Sequence, residues 1–250
     1  MSKPWIATAL LALACASSGD VVTPDPILPG PPPPVAGQGL RLLFVGNSLT
    51  YTNNVPSLVR QLAVAAGRPT PVVVARTAGN AGLEDHWAEG TVRADLKNGD
   101  YDVMIMQQGP STLAASGENL THWTRIFAAE AVKYGTRPGL YAVAAPVGGN
   151  YEGGMANYRA AAEVTQSAFY PASYAWKLAW DQQPRLGFYG QDGFHPSAAG
   201  AFMSAMVIAA VVFEIDPATM PNLIPASITE ADLAVMRSAA ARAVQEQGRK

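Results

Sequence analysis

The chain contains three polar side chains of the types that nucleophilic catalysis by a serine requires. Ser48 follows an apolar run of the kind that forms a buried strand, and Gly46 before it allows close backbone approach. Asp192 and His195 are three residues apart in Asp-Gly-Phe-His-Pro, which is short enough for one tight turn. A serine nucleophile needs a base, and the base needs a carboxylate that fixes its tautomer and stabilises the imidazolium. Ser48, His195 and Asp192 could fill these three roles.

Both segments also have an ordinary structural interpretation. A serine at the end of a strand is commonly a turn or helix-capping residue. No glycine stands two positions after Ser48, so the segment is not the G-x-S-x-G elbow of α/β-hydrolases. An aspartate in a glycine turn with a histidine at a helix start can be purely structural as well. Because the chain has only three histidines, the combination of this turn with Ser48 favours the catalytic interpretation.

The elements that must position these side chains alternate between strand and helix. Apolar and β-branched runs predict strands at 41–45, 71–75, 102–106 and 140–144. Helical periodicity predicts helices at 55–66, 83–89, 119–134, 155–169 and 198–213, and a last one from Thr229 to about Glu246. This alternation indicates βαβ units, so we expect an α/β fold with a mostly parallel sheet covered by helices on both faces. In such sheets ligands bind beyond the carboxyl ends of the strands, where Ser48 is expected.

The segments around the serine and the histidine resemble the first and last sequence blocks of the SGNH/GDSL hydrolases. Gly46–Thr50 is similar to the first block, with Asn47 where the family motif has Asp. Asp192–His195 matches the final Asp-x-x-His block without departure. The order and separation of the blocks also fit, and the resemblance spans about residues 40–213. It implies a three-layer α/β/α sandwich of the flavodoxin-like type, with the serine, aspartate and histidine above as its catalytic triad.

The resemblance also implies an oxyanion hole built from the two middle blocks. The turn after the second predicted strand is similar to the family's second block, so Gly79 would donate its backbone N–H together with that of Ser48. The third block of the family is commonly Gly-x-Asn-Asp, whereas Gln-Gln-Gly-Pro-Ser-Thr at 107–112 resembles the Gln-Gly-x-Ser form of the sialate O-acetylesterase branch. The usual Asn donor would fall on Ser111. A Gln side-chain amide can donate as an Asn does, so we favour Gln108 and keep Ser111 as the alternative.

For function, the resemblance implies a serine esterase that works through an acyl-enzyme. The form of the third block favours small acyl groups, acetyl above all, on carbohydrates, so the expected partner is a small-molecule or carbohydrate ester. Two alternatives stay open. One is an acyltransferase on the same scaffold, in which a sugar hydroxyl replaces water. The other is a non-catalytic, glycan-binding surface lipoprotein. Neither a cofactor nor a metal is expected.

Composition excludes several other classes of protein. Seventeen Lys and Arg against nineteen Asp and Glu give a net charge of −2, which offers no basic footprint for nucleic acid. Cys15 is the only cysteine, so an internal disulfide and a cysteine-based zinc site are excluded.

His86 and His122 are expected on exposed helix surfaces, with a place in the cleft as the alternative for His86. Two scattered histidines do not indicate a metal site.

The first 39 residues are expected to lie outside the domain. Residues 1–20 read as an export signal, with Lys3 before a ten-residue apolar run. The run ends in Ala-Leu-Ala-Cys, which fits a cleavage site and resembles a lipobox, although the lipobox leucine is one position early at Leu11. A lipid anchor at Cys15 is favoured over plain secretion because residues 21–39 form a proline-rich, stiff tether. The hydrolase domain would then cover 40–250, exported to the bacterial cell envelope or secreted, with the membrane reached only through the lipid.

A glycine-rich stretch and a group of aromatic residues could also contribute to substrate binding. The glycine-rich stretch at 148–154 is expected to be a flexible loop at the active-site edge of the sheet, either a substrate-binding loop or a plain connection. Tyr174, Trp176 and Trp180 could form a platform for a sugar ring, but core packing is favoured for them.

Overall fold

Five parallel strands form one sheet at the centre of the structure, a computed structural model that describes residues 38–248. The strands are β1 (Arg41–Gly46), β2 (Val72–Thr77), β3 (Val103–Met106), β4 (Arg137–Tyr141) and β5 (Ala168–Tyr170). Their order in the sheet is β2-β1-β3-β4-β5, and every neighbouring pair is parallel. This is the flavodoxin-like strand order. The predicted α/β fold with a parallel sheet is confirmed.

Helices cover both faces of this sheet. They are α1 (Ser48–Tyr51), α2 (Val55–Ala65), α3 (Leu83–Glu89), α4 (Thr91–Asn98), α5 (Ala114–Lys133), α6 (Tyr151–Val164), α7 (Ala172–Gln182), α8 (Ala198–Phe213) and α9 (Glu230–Gln247). A short 3-10 turn at Pro217–Thr219 precedes α9. One group of helices is formed by α8 with α2, α7 and α9, and the other by α5 with α3, α4 and α6. The three-layer sandwich follows from this division.

The core lies between the sheet and these two helix groups. From Leu42 to Val45, every residue of β1 is fully buried, and β3 is buried throughout. Strands buried on both faces are continuous apolar runs rather than alternating ones, which is why their sequences could be recognised. The helix α8 is apolar almost all round, and fourteen of its sixteen residues are buried. No helix in the described part of the chain is long and apolar enough to cross a membrane.

The strand order places the candidate chemistry at one position of the sheet. The chain leaves β1 toward β2 on one side and later enters β3 on the other side of β1. Ligands bind where the strand order reverses in this way, in the crevice beyond the carboxyl ends of the two diverging strands. The segments that begin at Asn47 and Gln107 follow β1 and β3 at that point.

The structure corrects the predicted helix at 155–169. Helix α6 ends at Val164, and the chain turns through Gln166, whose φ of 52° is left-handed, into the buried strand β5. The short run Ala-Phe-Tyr of β5 was too short to be separated from a helix by periodicity. In the neighbouring strand β4, a Cβ added at Gly139 would lie 2.5 Å from the ring of Tyr170, so glycine is needed for these two strands to pair.

Other boundaries also differ from the prediction. Helix α5 begins at Ala114 rather than at residue 119, so Asn119 lies within its second turn. Strand β4 covers 137–141 rather than 140–144, although the next four residues remain buried. Helices α4 and α7 were not predicted at all.

Candidate active site

Ser48 lies at the carboxyl end of β1, as the first residue of the short helix α1. Asn47 caps this helix, with its side-chain oxygen accepting the N–H of Leu49 at 3.0 Å. Ser48 is 9% exposed, and its Oγ is 2.8 Å from His195 Nε2. The N–H of Ser48 occupies the first position of the helix, where no intrahelical acceptor is available to it. Both the hydroxyl and the amide are therefore placed at the mouth of the crevice.

Asp192 and His195 occupy one tight turn that comes just before α8. The Oδ1 atom of Asp192 accepts the backbone N–H groups of Phe194 and His195, both at 3.0 Å, and its Oδ2 lies 2.5 Å from His195 Nδ1. Gly193 adopts a φ of +65°, which glycine accommodates without strain. The hydrogen bond to His195, joined by the two backbone N–H bonds, lowers the pKa of Asp192 to about 2. The carboxyl is therefore ionised at any pH near neutrality.

The hydrogen bonds assign the proton positions on His195. An ionised carboxylate can only accept, so Nδ1 carries the hydrogen that faces Asp192. Neutral imidazole then has its lone pair on Nε2, and the hydroxyl of Ser48 donates to it. The sequence predicts that these three side chains lie near one another, and in the structure they are in hydrogen-bond contact. The arrangement can remove the Ser48 proton and deliver it to a leaving group.

A cleft of about 340 Å³ opens beside Ser48. The side chains of its walls include those of Asn80, Glu84, Asp85, Gln108, Asn119 and Phe194. The ring of Phe194 also packs edge-on against the imidazole of His195, with the centroids 4.9 Å apart. The described residues that line the cleft include two carboxylates and no Lys or Arg. A neutral polar group therefore suits the cleft better than an anion.

The two glutamines after β3 point to different places. Gln107 is fully buried behind the site, where its Oε1 accepts the N–H of Asn47 at 3.0 Å and the hydroxyl of Thr50 at 2.8 Å. Gln108 lines the cleft with Ser48. Its Oε1 accepts the N–H of Leu83 at 3.2 Å and its Nε2 donates to Asn119 at 3.0 Å. These two bonds fix the orientation of the amide and leave it one further N–H.

Ser111 is not among the residues that line this cleft. Its hydroxyl donates to the carbonyl of Gly109 at 3.1 Å, and its left-handed φ of 50° turns the chain toward α5. Of the two candidate side-chain donors, only Gln108 therefore shares the cleft with Ser48. Its role in stabilising an oxyanion stays a prediction.

Gly79 lies in the exposed turn after β2, which places it beyond the carboxyl end of the strand next to β1. The cleft itself is lined by the next residue, Asn80, whose φ is +61°. The backbone N–H of Gly79 remains the predicted second donor. A Cβ added at Gly79 would lie 3.5 Å from the Tyr51 hydroxyl, which is ordinary van der Waals contact.

The structure corrects the expectation for His86. It is 3% exposed rather than on the surface, and its Nε2 lies 2.8 Å from the carbonyl oxygen of Gly46. A carbonyl only accepts, so Nε2 carries the hydrogen. The same carbonyl accepts the N–H of Ala78 at 3.2 Å. His86 therefore ties α3 to the end of the serine strand, whereas His122 is exposed as expected.

Sequence reasoning missed Asn119, which lines the cleft from helix α5 and accepts from Gln108. It lies eleven residues from its partner, and no local pattern marks it. Among the described residues there is no group of three or more His, Cys, Asp or Glu side chains that could hold a metal ion.

The aromatic residues of α7 have separate roles. Trp176 is buried, and the hydroxyl of Tyr174 donates to Glu246 at 2.5 Å. Trp180 stacks on Tyr189 with centroids 5.7 Å apart, and both line a second cavity of about 490 Å³.

The expected loop at 148–154 is shorter than predicted, because Asn150 caps α6 and residues from Tyr151 onward are helical. Val147, on the rim of the second cavity, donates its N–H to Gly193 at 2.9 Å.

Comparisons with known proteins agree with this architecture. A candidate SGNH hydrolase from Slackia heliotrinireducens matches 69% of this chain over 98% of its own length, with a TM-score of 0.59 and 22% identity. A DUF4886 family protein from Bacteroides uniformis matches 84% of this chain over 96% of its own, with a TM-score of 0.71 and 15% identity. A mutant form of an acetyl-xylooligosaccharide esterase from Geobacillus matches 69% over 92%, with a TM-score of 0.53 and 18% identity.

No protein-family model matches the sequence, and no curated protein matches it either. The likeness to solved structures therefore carries the comparison, and identities of this size establish the fold alone. The chain has the fold of the SGNH hydrolases.

Proposed function

We propose that the protein is a serine esterase in which Ser48 is the nucleophile, His195 the general base and Asp192 its orienting carboxylate. The observation that carries this proposal is the unbroken line of hydrogen bonds from Asp192 through His195 to Ser48. A retired hydrolase scaffold that only binds glycans would have no need to keep this line intact. The geometry supports an enzyme over a binding protein.

The first half of the reaction transfers the acyl group to the serine. Ser48 Oγ attacks the ester carbonyl carbon while His195 Nε2 takes its proton, and the imidazolium formed is stabilised by Asp192. The tetrahedral intermediate then collapses as His195 returns the proton to the departing alkoxide, which leaves an acyl-Ser48 ester and a free alcohol. In the second half, water attacks this ester by the same route and releases the acid.

Stabilisation of the oxyanion falls to the groups around the cleft. The N–H of Ser48 at the start of α1 and the N–H of Gly79 after β2 are the proposed backbone donors. The free N–H of the Gln108 amide is the proposed side-chain donor. Fixed donors are effective here because they need no rearrangement when charge develops on the carbonyl oxygen. The hydrogen bonds of Gln108 to Leu83 and Asn119 hold its amide in one orientation.

For the substrate, we propose small acyl groups, acetyl first, carried by a neutral polyhydroxy alcohol such as a carbohydrate. A cleft of about 340 Å³ whose side chains include several amides and two carboxylates offers hydrogen-bonding partners to the hydroxyl groups of such an alcohol. The acetyl-xylooligosaccharide esterase among the similar structures acts on a substrate of this kind. The carboxylates Glu84 and Asp85 in the cleft wall disfavour an anionic sugar such as a sialic acid.

The test is a series of p-nitrophenyl esters with acyl chains of two to twelve carbons, run beside acetylated neutral oligosaccharides. We expect the highest kcat/KM for acetyl and a steady fall with chain length. The Ser48→Ala protein is the control for background hydrolysis. No turnover of any ester above that control would refute the enzyme, and a maximum at eight or more carbons would refute the substrate class.

The location of the protein is a separate proposal, because residues 1–37 lie outside those that the structure describes. We propose that the chain is exported and carries a lipid on Cys15, so that the proline-rich segment holds the domain away from the membrane. Mature protein from a bacterial host should begin at Cys15 with lipid attached, and Cys15→Ser should move it to the soluble fraction. Processed protein that is soluble with an unmodified Cys15 would indicate plain secretion instead.

A further inference from the structure

The side chain next to the proposed nucleophile makes more long-range contacts than a capping residue needs. Asn47 is 7% exposed. Besides its capping bond to Leu49, its Oδ1 accepts Gln107 Nε2 at 3.0 Å and its Nδ2 donates to the carbonyl of Ala81 at 3.0 Å. In addition, Gln107 Oε1 accepts the backbone N–H of Asn47, also at 3.0 Å. Both ends of the Asn47 side-chain amide are therefore hydrogen-bonded, with Oδ1 accepting two bonds and Nδ2 donating one.

These bonds join the three segments from which the proposed oxyanion hole is built. Asn47 precedes Ser48 after β1, and Ala81 follows the Gly79 turn after β2. Gln107 precedes Gln108 after β3. The side-chain amide of Asn47 thus connects three loops that lie beyond the carboxyl ends of β1, β2 and β3, where the pairing of the strands has ended. Gly46 makes room for this network, since a Cβ there would lie 2.5 Å from the side-chain oxygen of Gln107.

We propose that Asn47 is a positioning residue that sets the spacing between the Ser48 amide and the donors of the second and third segments. This inference rests on the proposed esterase function. It implies that an amide is required at this position, and that the isosteric carboxylate of Asp cannot replace it in this chain.

The reason lies in the donor and acceptor pattern. An Asp side chain would keep the oxygen that accepts from Leu49 and Gln107. Its second oxygen would face the carbonyl oxygen of Ala81 at the distance now spanned by the Nδ2 hydrogen bond. Two acceptors without a hydrogen between them repel one another, and among the described residues that line the cleft with Asn47 there is no Lys or Arg to neutralise a buried charge. The N–H groups of Leu49 and Gln107 would donate to the first oxygen whether the carboxyl is ionised or protonated, whereas only protonation supplies the hydrogen that the carbonyl of Ala81 accepts. We therefore expect the folded protein to favour the protonated form.

The sign of the resulting pH dependence follows from linkage. An Asp whose pKa is raised in the folded state has little effect on stability below about pH 3.9, the pKa of an Asp in the unfolded chain. Above that pH the destabilisation grows as the pH rises through the pKa of the folded state. The ionisable groups near position 47 are Glu84 and Asp85 in the cleft wall, His195 on Ser48 and His86 on the carbonyl of Gly46. The carboxylates of Glu84 and Asp85 would also raise the pKa of an Asp at position 47, whereas a protonated histidine would lower it.

A matched control separates this effect from the added charge. Asn119 lies in the same cleft, and its bond to Gln108 uses its side-chain oxygen as acceptor. Asn119 is exposed, so Asn119→Asp adds the same charge to the cleft without burying it and keeps its acceptor. Asn47→Ala removes the bonds at every pH without adding a titratable group.

The experiment measures unfolding midpoints of the full chain from pH 4.5 to 8, and kcat and KM for p-nitrophenyl acetate at pH 8. We expect Asn47→Asp to be close to wild type in stability at pH 4.5 and clearly less stable at pH 8. For Asn47→Ala and Asn119→Asp we expect the difference in unfolding midpoint from wild type to stay nearly constant from pH 4.5 to 8. At pH 8, kcat of Asn47→Asp should fall at least tenfold, with KM within threefold of wild type.

A stability difference for Asn47→Asp that does not change with pH would overturn the inference, as would a kcat within twofold of wild type. The stability measurement does not need catalysis. If wild type hydrolyses no ester while the pH-dependent loss of stability is observed, the esterase proposal fails and the amide network stands.

Discussion

His195 Nε2 lies 2.8 Å from Ser48 Oγ although 147 residues separate them in the chain. A second link between the same segments supports this contact. The side-chain amide of Asn53, just after α1, donates to the carbonyl of Pro196 at 2.8 Å. The turn that carries the base is therefore bonded to the segment that carries the proposed nucleophile at two points. The base is held in place by backbone structure as well as by its own hydrogen bonds.

Replacing Ser48 by Ala should abolish ester hydrolysis and leave the fold intact. Among the described residues the hydroxyl bonds to His195 alone, so its loss should cost about 1 kcal/mol of stability or less. The measurement is turnover of p-nitrophenyl acetate, together with the thermal midpoint. A fluorophosphonate probe should label Ser48 in wild type and nothing in the variant. Retention of a tenth of wild-type turnover would remove Ser48 from the nucleophile's role.

The rate should fall toward acidic pH, because only a neutral imidazole can accept the proton of Ser48. Asp192, with a pKa of about 2, stays ionised over the range where the enzyme can be assayed, so it contributes no step to the pH dependence of kcat/KM. A flat profile from pH 5 to 8, with chemistry limiting, would contradict a histidine base.

The lowered pKa of Asp192 also predicts an effect on stability. An ionised carboxyl whose pKa is below the ordinary 3.8 stabilises the folded state above that pH, and this contribution is lost as the pH falls toward 2. Asp192→Asn should therefore be less stable than wild type at pH 5, and the difference should shrink toward pH 2. Denaturant midpoints across this range test it. A difference that grows toward acid would show that the carboxyl is not held in its ionised form.

Gln108 and Ser111 can be distinguished as oxyanion donors by their kinetics. Gln108→Ala should lower kcat by ~10²–10³ with little change in KM, because the donor acts mainly on the charge of the transition state. Ser111→Ala should cost less than tenfold, since Ser111 does not line the cleft and its hydroxyl bonds to the carbonyl of Gly109. The comparison uses p-nitrophenyl acetate at saturating concentration. The reverse ranking would transfer the role to Ser111.

Charge in the cleft wall should set a preference between substrates. Glu84→Lys should raise kcat/KM for an anionic acetyl ester about fivefold at low salt and leave a neutral acetyl sugar nearly unchanged, since reversing one nearby charge changes the interaction by about 1 kcal/mol. The gain should shrink at high ionic strength. Glu163→Lys, an exposed change on α6 away from the cleft, is the matched control. An equal gain in the control would assign the effect to net charge.

Much of the site could be placed from the sequence because its residues stand at the ends of recognisable strands. The runs that became β1 and β3 are buried on both faces, so their apolar sequences were visible without long-range information. The side chain after such a run lies at the carboxyl edge of a parallel sheet, and this placed Ser48 and the two glutamines. Because side chains alternate along a strand, Gln107 and Gln108 cannot both point at the site. In the structure, Gln108 lines the cleft and Gln107 does not.

Other features could not be found in this way. Strand β5 has only three residues, and a run of that length has no periodicity of its own. His86 looked like an exposed helix residue, because nothing near it in the chain reveals that its ring meets the carbonyl of Gly46 forty positions away. Asn119 lines the cleft from the second turn of α5, a helix that starts five residues earlier than its periodicity indicated.

The sequence by itself determined the fold class and the order of the candidate blocks, because both depend on which residue types follow one another along the chain. The tertiary structure alone decided which glutamine faces Ser48, that His86 is buried, and that the Asn47 amide joins three segments. Each of these depends on hydrogen bonds between residues that are 25 to 60 positions apart. Such bonds require both partners to be brought together by the packing of the sheet and its helices. Local composition carries no record of where a distant partner will lie.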